Sequence, residues 1–138
     1  MRKILFRAMT KSGTMEEGLP YLGMDGYIEG LETLKGCTVL VDVETITQYA
    51  GVDDINGKHI FEGDILKIVS PNDDEDKPFV TEYYEIAYNE KQRAFVLRSD
   101  CGDEPFDFSQ EEMNEYKVEV IGNIYENEDL RGKVYAKT

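Results

Sequence analysis

The sequence predicts a mainly β protein, a β-rich α+β chain whose antiparallel sheets enclose a small barrel-like core with one or two short helices. Three observations point there. Residues 79–88 alternate strictly, with Val80, Glu82, Tyr84, Ile86 and Tyr88 on one side and Phe79, Thr81, Tyr83, Glu85 and Ala87 on the other, the period of a pleated strand. The run Cys37–Val43 (CTVLVDV) is β-branched and compact enough for a buried strand. Glycine and Asx turn signals recur between such runs, and no long 3.6-residue pattern interrupts them.

In chain order, Lys3–Met9 (KILFRAM) sets Ile4, Phe6 and Ala8 against Leu5 and Arg7, and Lys11-Ser12-Gly13 follows as a turn; a first strand and hairpin are expected. From Glu17 to Gly36 there are five glycines and one proline, a composition of loops and short irregular strands rather than helix. After the Cys37–Val43 strand, Thr45-Ile46-Thr47-Gln48 matches a capping box, so one helical turn is expected there, closed by Gly51 in a left-handed conformation. Asp64–Val69 (DILKIV) is a strand candidate. Ser70–Pro78 (SPNDDEDKP) is a polar, acidic stretch expected to form a mobile loop.

Beyond it, the 79–88 strand turns through Asn89–Gln92 into Arg93–Ser99 (RAFVLRS), a predicted antiparallel hairpin. Ser109 and Glu112 form a second capping-box pattern that starts a short helix ending near Glu115, Lys117–Tyr125 returns to strand alternation, and Asn127 opens a last helical turn. The length of 138 residues fits one domain, 1–138, with an N-terminal β subdomain (1–69) and a C-terminal one (79–138) joined by the acidic loop 70–78 as the expected subdivision.

The charge balance narrows the function classes. The 29 acidic against 15 basic residues give a net charge of −14, and residues after Val69 carry 18 of the acids. Such a surface repels phosphates, because nucleic-acid affinity rests on Lys and Arg releasing counterions. A nucleic-acid-associated barrel would need Arg2, Lys3, Arg7, Arg93 and Arg98 to converge on one face. Cys37 and Cys101 stand 64 residues apart without a CxxC or CxxH spacing, so no zinc site is expected. No signal peptide and no membrane span can be drawn, which points to a cytoplasmic protein with reduced cysteines.

The segment Gln48–Leu66 (QYAGVDDINGKHIFEGDIL) has the look of half a calcium loop. With Gly57 at loop position six, Asp54 and Asn56 fall at three and five, but positions one and twelve become Val52 and Gly63, so two of the required ligands fail. A turn explains the same letters: Asn56-Gly57 reads as a two-residue type I′ hairpin turn with Ile55 and His59–Phe61 as its arms, and Glu62-Gly63-Asp64 as a second bend. No catalytic, cofactor-binding or metal residue is assigned. His59 is the lone histidine, and GxSxG, GxxxxGK[ST] and HExxH patterns are absent. The one remaining route to catalysis is a carboxylate pair, with Glu62 and Asp64 as candidates. A non-catalytic chain without cofactors is the expectation, with Tyr83, Tyr84, Tyr88, Phe106 and Phe108 available either as core or as contact area for a protein partner. Self-association through strand edges or aromatic faces is a further expectation.

Three segments, RKILFRAM (Arg2–Met9), TITQYAGVDDINGKHIFEGDIL (Thr45–Leu66) and EVIGNIYENEDL (Glu119–Leu130), together 42 residues of 138, resemble in content and order the signature blocks of the YopX family of phage and prophage proteins. The chain departs from the family at Met9, where a Trp is common, and at Glu128, where a Pro is common. The resemblance implies a compact β-rich protein encoded by a phage or prophage and acting inside a bacterial host cell. It brings no established catalytic residue, cofactor or substrate.

Overall fold

A computed structural model describes residues 3–135. The chain is mainly β, with eleven strands and two short α-helices among these residues. It divides into two units, Met1–Gly51 and Val52–Thr138. The acidic stretch 70–78 lies within the second.

Unit 1 opens with β1 (Phe6–Met9), β2 (Met15–Leu22), β3 (Ile28–Thr33) and β4 (Thr38–Leu40), joined by tight hairpins and ordered β4-β3-β2-β1, with β5 (Thr47–Asp53) on the far side of β1. β5 carries the chain into unit 2. An antiparallel bridge between Thr10 and Val41 ties the end of β1 back to the end of β4, so the four strands close on themselves. Inside lie Ala8, Leu31 and Val41, flanked by Phe6, Val39 and Ile46. The expected barrel-like core is therefore present, and it is small.

Several expectations for this unit change. Glu17–Gly36 is regular: β2 and β3 pair from Gly18↔Thr33 to Leu22↔Ile28 with one irregularity, because a hairpin ladder satisfies the backbone whatever the glycine content. Cys37–Val43 is a three-residue outer strand with Thr38 and Leu40 exposed, and Val41 is its one fully buried apolar residue. The helical turn expected at Thr45–Gln48 sits upstream, as a 3-10 turn at Val43–Thr45 capped by the Asp42 carboxylate. The Thr45 hydroxyl donates to Asp42 O (2.6 Å) and accepts from Met9 N (2.8 Å), so it is not free to cap a following helix. Gly51 does take a left-handed conformation (φ 95°), inside β5 rather than at a helix end.

Unit 2 begins with a hairpin from the end of β5 to β6 (His59–Phe61), then a five-stranded sheet. Its members are β7 (Asp64–Asp74), β8 (Lys77–Asn89), β9 (Ala94–Ser99), β10 (Gly102–Pro105) and β11 (Glu119–Asn123), all antiparallel and ordered β10-β9-β8-β7-β11. The stretch expected as a mobile loop is instead the tip of the β7–β8 ribbon, paired out to Asp74↔Lys77, where a polar composition suits a ladder that stands in solvent on both faces.

The β8 strand forms, and so does its hairpin to β9. Both halves of the Ser109–Glu112 capping box are made at the start of α1 (Gln110–Glu115). A 3-10 turn at Glu128–Leu130 leads into α2 (Arg131–Tyr135), which packs on β8 and β9. At the sheet centre, successive residues of β8 from Tyr84 to Ala87 are buried, so both faces of this sheet are covered, unlike a half-solvated antiparallel sheet.

Candidate functional site

The block that first resembled a metal loop is a backbone clamp. Asp54 is 3% exposed, and its Oδ1 accepts hydrogen bonds from Asn56 N (2.8 Å) and Lys58 N (2.9 Å) while Oδ2 accepts from Val120 N (3.0 Å) on β11. A carboxylate committed to three amides closes the turn and fastens it to a strand 66 residues away. Among the described residues no group of three His, Cys, Asp or Glu is placed to hold a metal ion. The turn is not the expected type I′. Gly57 alone is left-handed (φ 78°), with Gly57 N donating to Asp54 O (3.0 Å) and Asp54 N to Lys58 O (2.8 Å); this is the longer hairpin loop that ends in a glycine bulge. Ile55 accordingly sits in the loop rather than in an arm. His59 Nδ1 lies 2.6 Å from Asp53 Oδ1, and Gln110 brackets Asp53 by accepting from its amide and donating to its carbonyl.

Glu62 and Asp64, the two candidate carboxylates, go separate ways. Asp64 is fully buried and its Oδ2 accepts from Phe61 N (2.8 Å), closing the bend. Gly63 at its centre is left-handed (φ 92°), and an added Cβ would stand 3.1 Å from the Tyr125 ring, so both torsion and space require glycine. Glu62 joins a different group. Burial first, then the neighbouring Glu85 carboxylate, hold its pKa above the usual value, with Arg98 opposing them.

Register explains the company. Glu85 on β8 faces Arg98 on β9, and Arg98 faces Asp103 on β10, which puts a charged row across three strands. Arg98 grips Asp103 in a bidentate pair, Nε to Oδ1 at 2.8 Å and Nη2 to Oδ2 at 2.9 Å, and Asn89 adds a third donor at 3.0 Å. The Arg98 hydrogen bonds hold the Asp103 carboxyl below its usual range. From α2 the Tyr135 hydroxyl donates to Glu85 Oε1 (3.0 Å), and burial followed by the Glu85 charge raises the phenol's pKa. The row is thus closed on itself, with its cation already spoken for. Nearby, an open depression of about 450 Å³ is lined by Glu128, Arg131, Gly132 and Tyr135.

The aromatic residues mostly serve the fold. Tyr84 is buried and donates to Glu82, Tyr83 lies under Lys133 Nζ at 5.1 Å, and Phe106, Phe108 and Tyr116 stack in series with centroids 6.0 and 5.4 Å apart. Tyr88 is partly exposed but packs edge-on against Phe95. Of the five basic residues considered for nucleic acid, Arg2 lies outside the described residues, Arg7 is 5% exposed, and Arg98 is held by Asp103.

What sequence reading missed is a surface. Twelve large apolar side chains stand exposed among the described residues, and nine of them, including Leu19, Tyr21, Met24 and Leu40, belong to unit 1, so apolar exposure is concentrated in the smaller unit. Two rows form on the outer face of β2–β4: Leu19 beside Glu32 and Thr38, and Tyr21 beside Gly30 and Leu40. The period-two placing of Leu19 and Tyr21 was the available signal, hidden by glycines that read as loop.

Comparison with known proteins places the chain. A family model described as YopX protein matches residues 20–130. The chain belongs to the YopX family. No curated protein is similar to it in sequence. Among solved structures, this YopX chain is similar to the crystal structure of protein EF1440 from Enterococcus faecalis, with a TM-score of 0.61 and 25% identity over 95% of this chain and 99% of that one. The family match spans the Asp54 clamp, Glu85, Arg98 and Asp103 and begins within β2. Among the described residues, no helix is long and apolar enough to cross a membrane.

Proposed function

We propose that this YopX-family chain is a non-catalytic binding or regulatory protein, encoded by a phage or prophage and working through protein contacts in the cytoplasm of its bacterial host. The observation that carries the reading is the concentration of exposed apolar side chains on unit 1, since contiguous apolar surface on a folded chain marks a place where another surface docks. The closed charged row of unit 2 supports the non-catalytic half of the reading, because Arg98 neutralises Asp103 and Tyr135 satisfies Glu85, which engages these groups within the fold.

The test is retention from host extract on the tagged protein, run beside a Leu19→Ser/Tyr21→Ser/Leu40→Ser variant. All three side chains are exposed, so the fold should tolerate the change, and thermal melting verifies it. The expected result is a host or phage protein retained by the wild type and lost from the variant. Retention of nothing, or of the same proteins by both, overturns the reading. Retention of nucleic acid that fades steeply with salt replaces it with the nucleic-acid alternative.

A further inference from the structure

We propose that the outer face of β2, β3 and β4 docks a basic segment of another protein in extended form, carrying apolar side chains two residues apart and an excess of Lys or Arg. This rests on the protein-binding reading and names the chemistry of its partner. The two rows set apolar Leu19, Tyr21 and Leu40 beside the exposed carboxylate of Glu32. The segment that supplies them, Met15–Leu40, carries five acids against the single Lys35, so the apolar strip lies on a stretch of net negative charge. Leu19 and Tyr21 are two residues apart on one strand, about 7 Å, which is also the repeat of same-side residues in an extended partner.

Charge complementarity chooses among occupants. A second copy would bring the same five acids against themselves, on a chain of net charge −14. Nucleic acid and anionic lipid share that sign. A cationic amphipathic segment is attracted by the field and then anchored by the strip, electrostatics steering the encounter and the aromatic side chain holding it.

The experiment uses fluorescein-labelled ten-residue peptides with the intact chain, read by anisotropy at low salt. One alternates Lys and Leu, one alternates Lys and Ser, and one alternates Glu and Leu. Three variants accompany the wild type: Tyr21→Ser, Glu32→Lys, and Asp73→Asn/Asp74→Asn at the exposed tip of the β7–β8 ribbon. The Lys–Leu peptide should bind the wild type and the ribbon variant alike. Binding should fall at least about tenfold for Tyr21→Ser and for Glu32→Lys, and by a similar factor for the Lys–Ser peptide, each equivalent to the loss of one anchor.

Equal binding of Lys–Leu and Lys–Ser peptides would mean that charge alone acts, and overturns the proposal. Weakening by the ribbon variant puts the site elsewhere and does the same, as does a dimer in sedimentation that Tyr21→Ser dissolves. No peptide binding at all overturns the basic-segment assignment while leaving the retention experiment to decide whether the chain binds protein; loss of retention with intact peptide binding separates the two in the other direction.

Discussion

Unit 1 and unit 2 are both antiparallel, but they handle apolar side chains in opposite ways. Unit 1 folds four short strands around Ala8, Leu31 and Val41 and leaves Leu19, Tyr21 and Leu40 in solvent. Unit 2 buries consecutive residues of β8 on both faces of its sheet and pins its turns with buried carboxylates, Asp54 and Asp64. Under the proposed binding reading, the difference separates tasks within one chain. A sheet covered on both sides and clamped by side chains has little surface to offer, whereas a thin closed sheet that spends its interior on small residues keeps its outer face available.

The sharpest way to break this comparison is to open the clamp. Asp54→Ala removes the acceptor of three amides, one on β11, and should cost on the order of 4 kcal/mol, because the stranded donors lose charge-assisted bonds. Asp54→Asn keeps one acceptor oxygen and should cost roughly half of that. Urea melts give both numbers; a loss under about 1 kcal/mol would mean that water replaces the carboxylate and that unit 2 is not pinned there. Next in size is Leu31→Ala in unit 1. Leu31 is wholly buried in a cluster of three small-to-medium side chains, and a cost of about 3 kcal/mol is expected from lost transfer energy plus the cavity. Amide exchange should then accelerate in β1–β4 before β7–β9. Uniform acceleration throughout would show that the thin core is not a distinct feature of unit 1.

These two residues also mark where sequence reading succeeds and fails. Strand β8, its hairpin to β9 and the Ser109–Glu112 cap were legible because each is written in a few adjacent residues, as side-chain alternation or as a reciprocal pair three positions apart. Asp54 lies at the turn that the sequence placed at Asn56-Gly57, yet its bond to Val120 crosses 66 residues, and no local pattern encodes that. The charged row was invisible for the same reason: Glu85, Arg98 and Asp103 meet only once the β8–β9–β10 register is set. In unit 1 the failure was of another kind. Glycines at 18 and 30 read as loop or short irregular strand, but a Cβ at either would clash with a neighbouring carbonyl oxygen, of Glu32 and Val39 respectively. They are there because strands approach closely, which composition cannot distinguish from flexibility.

The smallest expected effect tests whether unit 2 is as well satisfied as it looks. Glu62 is half-buried, and burial together with the Glu85 carboxylate raises its pKa from an ordinary 4.5. The folded chain therefore holds a proton there that the unfolded chain has already released. The stabilisation from protonated Glu62 is complete below about pH 4.5 and is lost as pH rises through the higher folded value, so at neutral pH the ionised group is a net cost to folding. Glu62→Gln removes that cost. Its unfolding free energy should match the wild type near pH 4 and exceed it at pH 7 to 8 by less than about 1 kcal/mol, solvent screening having reduced the margin. An equal offset at every pH would point to packing, and a less stable variant at pH 7 would mean that Arg98 outweighs Glu85 at this carboxylate and that the row attracts Glu62 rather than crowding it.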